Sequence, residues 1–307
     1  MEKIQTVVFG LGRIGMLYGL EKKRIQPASH IEAIKSNKKF NLLGVCDPSK
    51  KNKNLFVKKY GNSFDVFNSH TDLLLFFKKN NIIPQLFVIA TPENTHFKII
   101  QDIVEIFNNS KKKSIIFCEK PLTGNIQSAK KIKKLIINSN HKLIVNHTRR
   151  WSKIWNLCYA NLKKIGKIQR GIFIYSTSPE NKSLDQMRDG IHIADLINWF
   201  GIKNKIEVKR VSLPYLIYDF HIWGDKGKIE VLNNGEILNL YKKQKSKRFE
   251  GFFELNLIKK IKKKDLPLKN TYIEFYNFFN SNNVKLSTNL ADAIEAIDIF
   301  KRYVYEK

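Results

Sequence analysis

The residues best suited to chemistry come first in the chain: Gly10-Leu11-Gly12-Arg13-Ile14-Gly15, directly after the apolar run Ile4-Gln5-Thr6-Val7-Val8-Phe9. A G-x-G-x-x-G between a strand and a helix suits a dinucleotide. The first glycine takes a tight turn, the second lets backbone approach a pyrophosphate, and the third lets the helix pack on the strand. Asp47 ends the next apolar stretch, Asn41 to Cys46. A carboxylate there accepts hydrogen bonds from the adenosine ribose and repels a 2′-phosphate, which favours NAD over NADP. Arg13, inside the loop, pulls the other way, since it could contact that phosphate. The usual gap from glycines to carboxylate is about 20 residues, so about a dozen are inserted in the polar stretch Glu21 to Lys39. That stretch carries His30, which reads as the capped start of a short helix toward Ile34 or as a ligand.

A parallel sheet is needed to position these groups. Helices are expected from Pro48 to about Tyr60, Asp72 to Lys79, His96 to about Phe107 and Ile126 to Ile137. Strands are expected at Phe64 to Phe67, Gln85 to Ala90, Ser114 to Cys118 and Leu143 to His147. The run Gln85 to Ala90 is apolar without alternation, as in a strand covered on both faces. This β-α rhythm implies a doubly wound, parallel Rossmann sheet over residues 1–148. The rhythm then changes. A helix (Ile154 to Ile165), a strand (Gly171 to Ser176), a loop and a helix (about Gly190 to Phe200) lead into successive strands between Ile206 and Tyr241. Closing helices follow at Tyr272 to Phe279 and Leu290 to Tyr305. Residues 149–307 therefore read as an α+β domain on an open-faced, largely antiparallel sheet, with the site expected in a cleft between the halves.

Composition narrows the partners. The 307 residues suffice for two domains. Lys and Arg total 55 against 27 acidic residues, a net charge of +28, yet only nine are arginine and the lysines are spread along the chain. Specific nucleic-acid binding would call for more arginine interleaved with aromatics, so the charge points instead to anionic small molecules. No apolar run approaches the ~20 residues that span a bilayer. No cleavable leader is read ahead of the strand at Ile4. Cys46, Cys118 and Cys158 are far apart and read as small apolar residues in a reducing cytoplasm, and no metal ligands are assigned.

By Glu119-Lys120-Pro121 the chain resembles the glucose–fructose oxidoreductase/inositol dehydrogenase family (Gfo/Idh/MocA) along essentially its whole length. The likeness rests on the glycine motif, Ala90-Thr91-Pro92 to His96, Cys118 to Leu122, Asn146 to Trp151 (N-x-x-R-R-W) and Gly190 to Leu196. Gly224-Asp225-Lys226-Gly227 and the Ala291-Asp292-Ala293 helix complete it. The resemblance implies NAD(P)-dependent hydride transfer at a hydroxyl carbon of a sugar, nucleotide sugar or cyclitol, with surface-polysaccharide synthesis as one setting. It makes Lys120 the polarising residue beside the nicotinamide and His192 the acid/base, a pair that chemistry needs because the hydroxyl proton must leave with the hydride. By the same likeness Gly10, Gly12, Arg13, Ile14, Gly15, Asp47, Thr91, Pro92, Asn94, His96, Glu119 and Lys120 line the cofactor, although His96 reads equally as a helix-start residue. Asn146, Arg149 and Arg150 are expected to touch substrate, with stacking of Arg150 on Trp151 as the alternative. Many members carry Asp four residues before the histidine, but here that position is Arg188. Asp189 is displaced by one, and Gly190 is expected to keep the segment irregular. Arg188 would then suit an anionic substrate group. A sensor that kept the cofactor fold without turnover is the competing reading. A homodimer or homotetramer through the open sheet face is implied.

Overall fold

The structure, a computed structural model, describes residues 2–108, 110, 112–176, 186–281 and 284–304, with only the backbone at positions 186 and 188. The chain runs β1 (Ile4–Phe9), α1 (His30–Lys35), β2 (Phe40–Cys46), α2 (Lys50–Tyr60), β3 (Asp65–Phe67), α3 (His70–Lys79), β4 (Leu86–Ile89), α4 (His96–Phe107), β5 (Ser114–Cys118), α5 (Ile126–Ile137) and β6 (His141–Val145). There follow α6 (Lys153–Asn161), β7 (Ile168–Ser176), α7 (Gln186–Phe200), β8 (Ile206–Val211), β9 (Tyr218–Gly224), β10 (Gly227–Leu232), β11 (Ile237–Lys245), β12 (Phe253–Lys262), α8 (Pro267–Asn280) and α9 (Leu290–Ile299). Among the described residues no helix is long and apolar enough to cross a membrane.

Two compact units result. The first joins Met1–His147 to Leu268–Ile294, and the second joins Thr148–Pro267 to Glu295–Lys307. The chain passes from the first unit to the second after His147 and returns to the first at Leu268. Helix α8 belongs to the first unit because its apolar face finds a partner there: Phe275 meets the β5 residue Phe117 edge-on at 4.8 Å, and Tyr272 meets Phe40 at 5.2 Å.

In the first unit the strands run in the order β3-β2-β1-β4-β5-β6, all parallel. Sequence neighbours diverge on either side of β1 and β4, which is the switch point where such sheets bind ligands at their carboxyl ends. Side chains of β4 and β5 are buried on both faces, as their unbroken apolar runs require. The helix after the glycine motif is broken. It makes one turn, and then the amides of His30 and Ile31 take the carbonyls of Ile14 and Gly15. In an unbroken helix those carbonyls serve residues 18 and 19, so the helix closes over a twelve-residue excursion. Without it, Asp47 would stand the usual distance of roughly 20 residues from Gly15. Ser29 caps the resumed helix by accepting from the Glu32 amide.

The second unit is a six-stranded sheet, β12-β11-β10-β9-β7-β8, antiparallel except for the β7–β8 pair. One face is covered through Phe173, Phe220 and Trp155, which stack at 4.5–6.0 Å. On the other face Glu230 accepts from Lys228, Asn239 and Tyr241. Burial pushes its carboxyl up, but these donors outweigh that and hold it at about 2.

A buried base of the first unit makes stability pH-dependent. His141 packs against Ser114 at the amino ends of β5 and β6, the sheet edge away from the glycines, and burial holds it at about 4. The unfolded chain takes up this proton near pH 6.5 while the folded one resists it until about pH 4. The stabilisation is therefore complete above pH 6.5 and lost as pH falls toward 4, by about 3 kcal/mol at most. Thermal melts between pH 7 and 4 should show a falling midpoint, and His141→Asn should flatten the slope. Equal slopes would remove His141 as the cause.

Candidate active site

The first residue beyond each central strand is held by one further rung of the ladder. Gly10 donates to the Cys46 carbonyl at 2.8 Å, Ala90 to Phe9 at 2.8 Å, Glu119 to Ile89 at 2.9 Å and Asn146 to Cys118 at 2.8 Å. The glycine turn, the Thr91 loop, Glu119-Lys120 and Asn146 thus share one rigid edge of the sheet. Gly10 has φ +94°, and a Cβ there would come within 2.7 Å of the Ala90 oxygen. A Cβ on Gly15 would meet the Gly10 oxygen at 2.1 Å, whereas one on Gly12 would meet nothing within 4 Å. Two glycines are therefore required by the turn itself, and the third leaves its outer side open. Among the described residues, none accepts from the amides of Gly12, Arg13, Ile14 and Gly15. Open space with unspent donors fits a dinucleotide pyrophosphate.

Asp47 caps β2 and ties the turn down. Its Oδ2 accepts from the Leu11 amide at 2.7 Å, its Oδ1 from the Ser49 amide at 2.8 Å, and Asn52 lies 3.4 Å from both oxygens. A carboxylate has about four acceptor positions, and these contacts engage all of them, the two from Asn52 at the long end.

Behind the Lys120 turn lies a buried polar network. The Glu119 carboxylate receives His30 Nε2 at 2.8 Å, Asn146 Nδ2 at 2.5 Å and the Lys120 amide at 3.3 Å. Burial alone would raise Glu119; His30, Asn146 and the Lys120 charge outweigh it and hold the carboxyl below its usual range. His30 Nδ1 faces the Tyr272 hydroxyl at 3.0 Å. Asn146, expected against substrate, is 1% exposed and donates through Nδ2 to the Glu119 carboxylate. His96 is a clamp. Its Nε2 faces the Thr91 carbonyl at 3.0 Å, and its Nδ1 faces those of Pro121 and Leu122 at 3.1 and 3.2 Å, joining two loops of the site edge. Burial lowers its pKa even so. Asn94 is exposed, beside the Thr95–Thr91 hydroxyl pair.

The second unit holds the other expected groups. His192 is half-buried on α7 between the buried Ile191 and Ile193. The helix is regular through Gly190, contrary to expectation. Glycine stands there because Phe300 and Val304 pack where a Cβ would project, at 2.6 and 2.8 Å. Asp189 and His192 are therefore three apart on one helix face. The Arg188 side chain lies outside the described residues. Arg150 departs most from expectation: it is 6% exposed and forms a two-bond pair with Asp195, both bonds 2.8 Å, over Trp199 rather than Trp151. Arg149 remains the accessible arginine of the motif. It lies over the Tyr218 ring at 4.7 Å and donates to the Asn234 carbonyl at 3.3 Å. Sequence reasoning did not single out Tyr218, Asn234 or Tyr272, since a lone tyrosine and a turn asparagine carry no spacing signal.

Residues 4–147 match the model of an oxidoreductase family with an NAD-binding Rossmann fold, GFO_IDH_MocA. The match spans the first run of parallel strands and helices, a little under half of the chain. No curated protein matches the chain in sequence. Solved structures match its fold. The WlbA dehydrogenase of Bordetella pertussis, in complex with NADH and UDP-GlcNAcA, is 15% identical with a TM-score of 0.72, covering 98% of this chain and 95% of its own. An Agrobacterium radiobacter oxidoreductase in complex with NAD+, L-tartaric acid and magnesium is 14% identical at 0.71, covering 98% and 95%. The transcriptional regulator Gal80p of Kluyveromyces lactis is 12% identical at 0.71, covering 98% and 91%. The matched stretch is an NAD-binding Rossmann fold, which makes NAD its cofactor, and the open Gly12 turn fits that cofactor.

Proposed function

We propose that the protein moves a hydride between NAD and a hydroxyl carbon of a sugar or nucleotide sugar. The observation that carries this reading is the fixed Glu119-Lys120 turn at the carboxyl end of β5, held from behind by His30 and Asn146 and clamped by His96. The nicotinamide supplies the hydride acceptor. Lys120 holds a proton at Nζ near the substrate oxygen and favours negative charge there, while His192 takes the hydroxyl proton on its imidazole. Asp189 orients His192 from the same helix face. Arg149, and Arg188 with it, binds an anionic part of the substrate. The Bordetella structure with a bound nucleotide sugar supports this class. A panel of sugars and nucleotide sugars, followed at 340 nm, tests it. Reduction of NAD by one of them is expected. Tight NADH binding without turnover on any would favour a sensor, the reading to which the likeness to Gal80p lends support.

Cofactor choice follows from Asp47. NAD should bind at least about tenfold tighter than NADP, about 1.4 kcal/mol, and Asp47→Ala should narrow the gap. Because Asp47 also holds the Leu11 amide, the variant should weaken both cofactors. Calorimetry that finds NADP preferred by the parent would hand the choice to Arg13.

Self-association through the open face of the second sheet is part of the same proposal. Phe253, Leu255 and Leu257 lie exposed on one side of the edge strand β12, opposite Lys245, Lys243 and Tyr241. An uncovered apolar edge of this kind calls for a partner surface, which a second copy provides.

A further inference from the structure

His30 is fully buried, comes from no element that the chemistry above uses, and yet reaches the one turn on which that chemistry depends. Its two ring nitrogens have different partners, a carboxylate on one side and a phenol on the other. Tyr272 is raised well above its ordinary value, by burial and then by Glu119, so it keeps its proton. Glu119 is held below the carboxyl range and stays ionised. A hydroxyl that keeps its proton donates to Nδ1, and an ionised carboxylate accepts from Nε2–H. A neutral imidazole between these partners carries its proton on Nε2, toward the carboxylate, a choice made by partners 242 and 89 residues away in sequence.

The splice explains how His30 arrives there. Because the His30 amide closes on the Ile14 carbonyl, the ring stands one helical turn after the glycine motif despite the twelve-residue excursion. The first residue of α1 thus ties the cofactor turn, through its amide, to the back of the Lys120 turn, through its ring. Phe117 seals the ring edge-on at 5.4 Å.

We infer that His30 is a positioning residue of the cofactor site, set in its Nε2–H form by Tyr272 and fixing the Glu119 carboxylate that holds the Lys120 backbone. It touches no reacting group itself. The inference rests on NAD binding by the first unit and is independent of which substrate is used.

Three variants and three readouts test it: His30→Leu, His30→Gln and Tyr272→Phe, with NADH titrated by fluorescence, ¹⁵N-histidine NMR on the full chain, and thermal melts. The parent should show His30 as the Nε2–H tautomer with Nδ1 accepting a hydrogen bond, and Tyr272→Phe should abolish that bond's shift at Nδ1. His30→Leu leaves Glu119 short of a donor and should weaken NADH by about tenfold, the effect of one hydrogen bond to a charged group. His30→Gln offers an N–H to Glu119 and an oxygen to Tyr272. It should recover most of that loss, to within about threefold of the parent. Melting midpoints of all three are recorded alongside. Leu and Gln variants that bind NADH equally, or affinities that follow the melting midpoint alone, would reduce His30 to packing. An Nδ1–H tautomer in the parent would overturn the network. If the parent fails to bind NADH, the functional proposal falls, and the NMR result still decides the His30 arrangement.

Discussion

Gly12→Ala is expected to fold as the parent does and to bind NADH about a hundredfold more weakly, the upper end of what an intruding methyl costs in a packed site. The reason is specific to this position. A Cβ on Gly12 meets no protein atom within 4 Å, so the variant has nothing of its own to collide with. Only a ligand lying on the turn would meet it. Gly15→Ala is the contrast, because its Cβ falls 2.1 Å from the Gly10 oxygen and the turn itself must move. The pair separates loss of a ligand from loss of a fold: Gly12→Ala should keep the parental melting midpoint and Gly15→Ala should not. Fluorescence titration with NADH checks both. Parental affinity in Gly12→Ala would place the pyrophosphate somewhere other than this turn.

The second large effect concerns Lys120 and His192. With a substrate in hand, Lys120→Ala or His192→Ala should lower kcat by about 10²–10⁴-fold, the usual cost of a positioned acid or base. NADH affinity should change little, because both side chains act on charge and protons that develop only during the reaction. Asp189→Asn should show a smaller loss of kcat with a shifted pH profile, as expected of a group that orients the base. Arg149→Ala should raise KM for an anionic substrate and leave kcat nearly unchanged, since its charge serves ground state and transition state alike. A His192→Ala enzyme turning over near the parental rate would end the proposed acid/base assignment.

Local pattern made much of the fold legible. Strand β5 and helix α5 fall on their expected residues because an unbroken apolar run and a 3.6-residue period each permit one reading. The twelve-residue insertion was legible as a count, from the distance between glycines and Asp47. Its closure by the His30 and Ile31 amides was not, since backbone hydrogen bonds leave no mark in residue type. The site was legible in membership more than in role. N-x-x-R-R-W does not tell which arginine is buried, because the answer lies with Asp195, 45 residues away. Asn146 and Glu119 read from the sequence as ligand contacts, and nothing in residue type announces the bond from Asn146 Nδ2 to Glu119 that joins them. The place of α8 in the first unit was not legible for a similar reason: its apolar side matches Phe117 and Phe40, and only the folded sheet brings those together.

The return of residues 268–294 to the first unit has a consequence in time. A ribosome delivers all six parallel strands early, but the helix that covers Phe117 and Phe40 emerges only after the whole second sheet has been made. At about 5–20 residues per second that delay is on the order of ten seconds. Throughout it the nascent nucleotide-binding sheet presents an aromatic face to the cell and His30 lacks the hydroxyl that orders it. The unit translated first is thus completed only after most of the second has been made, and its cofactor edge matures with it.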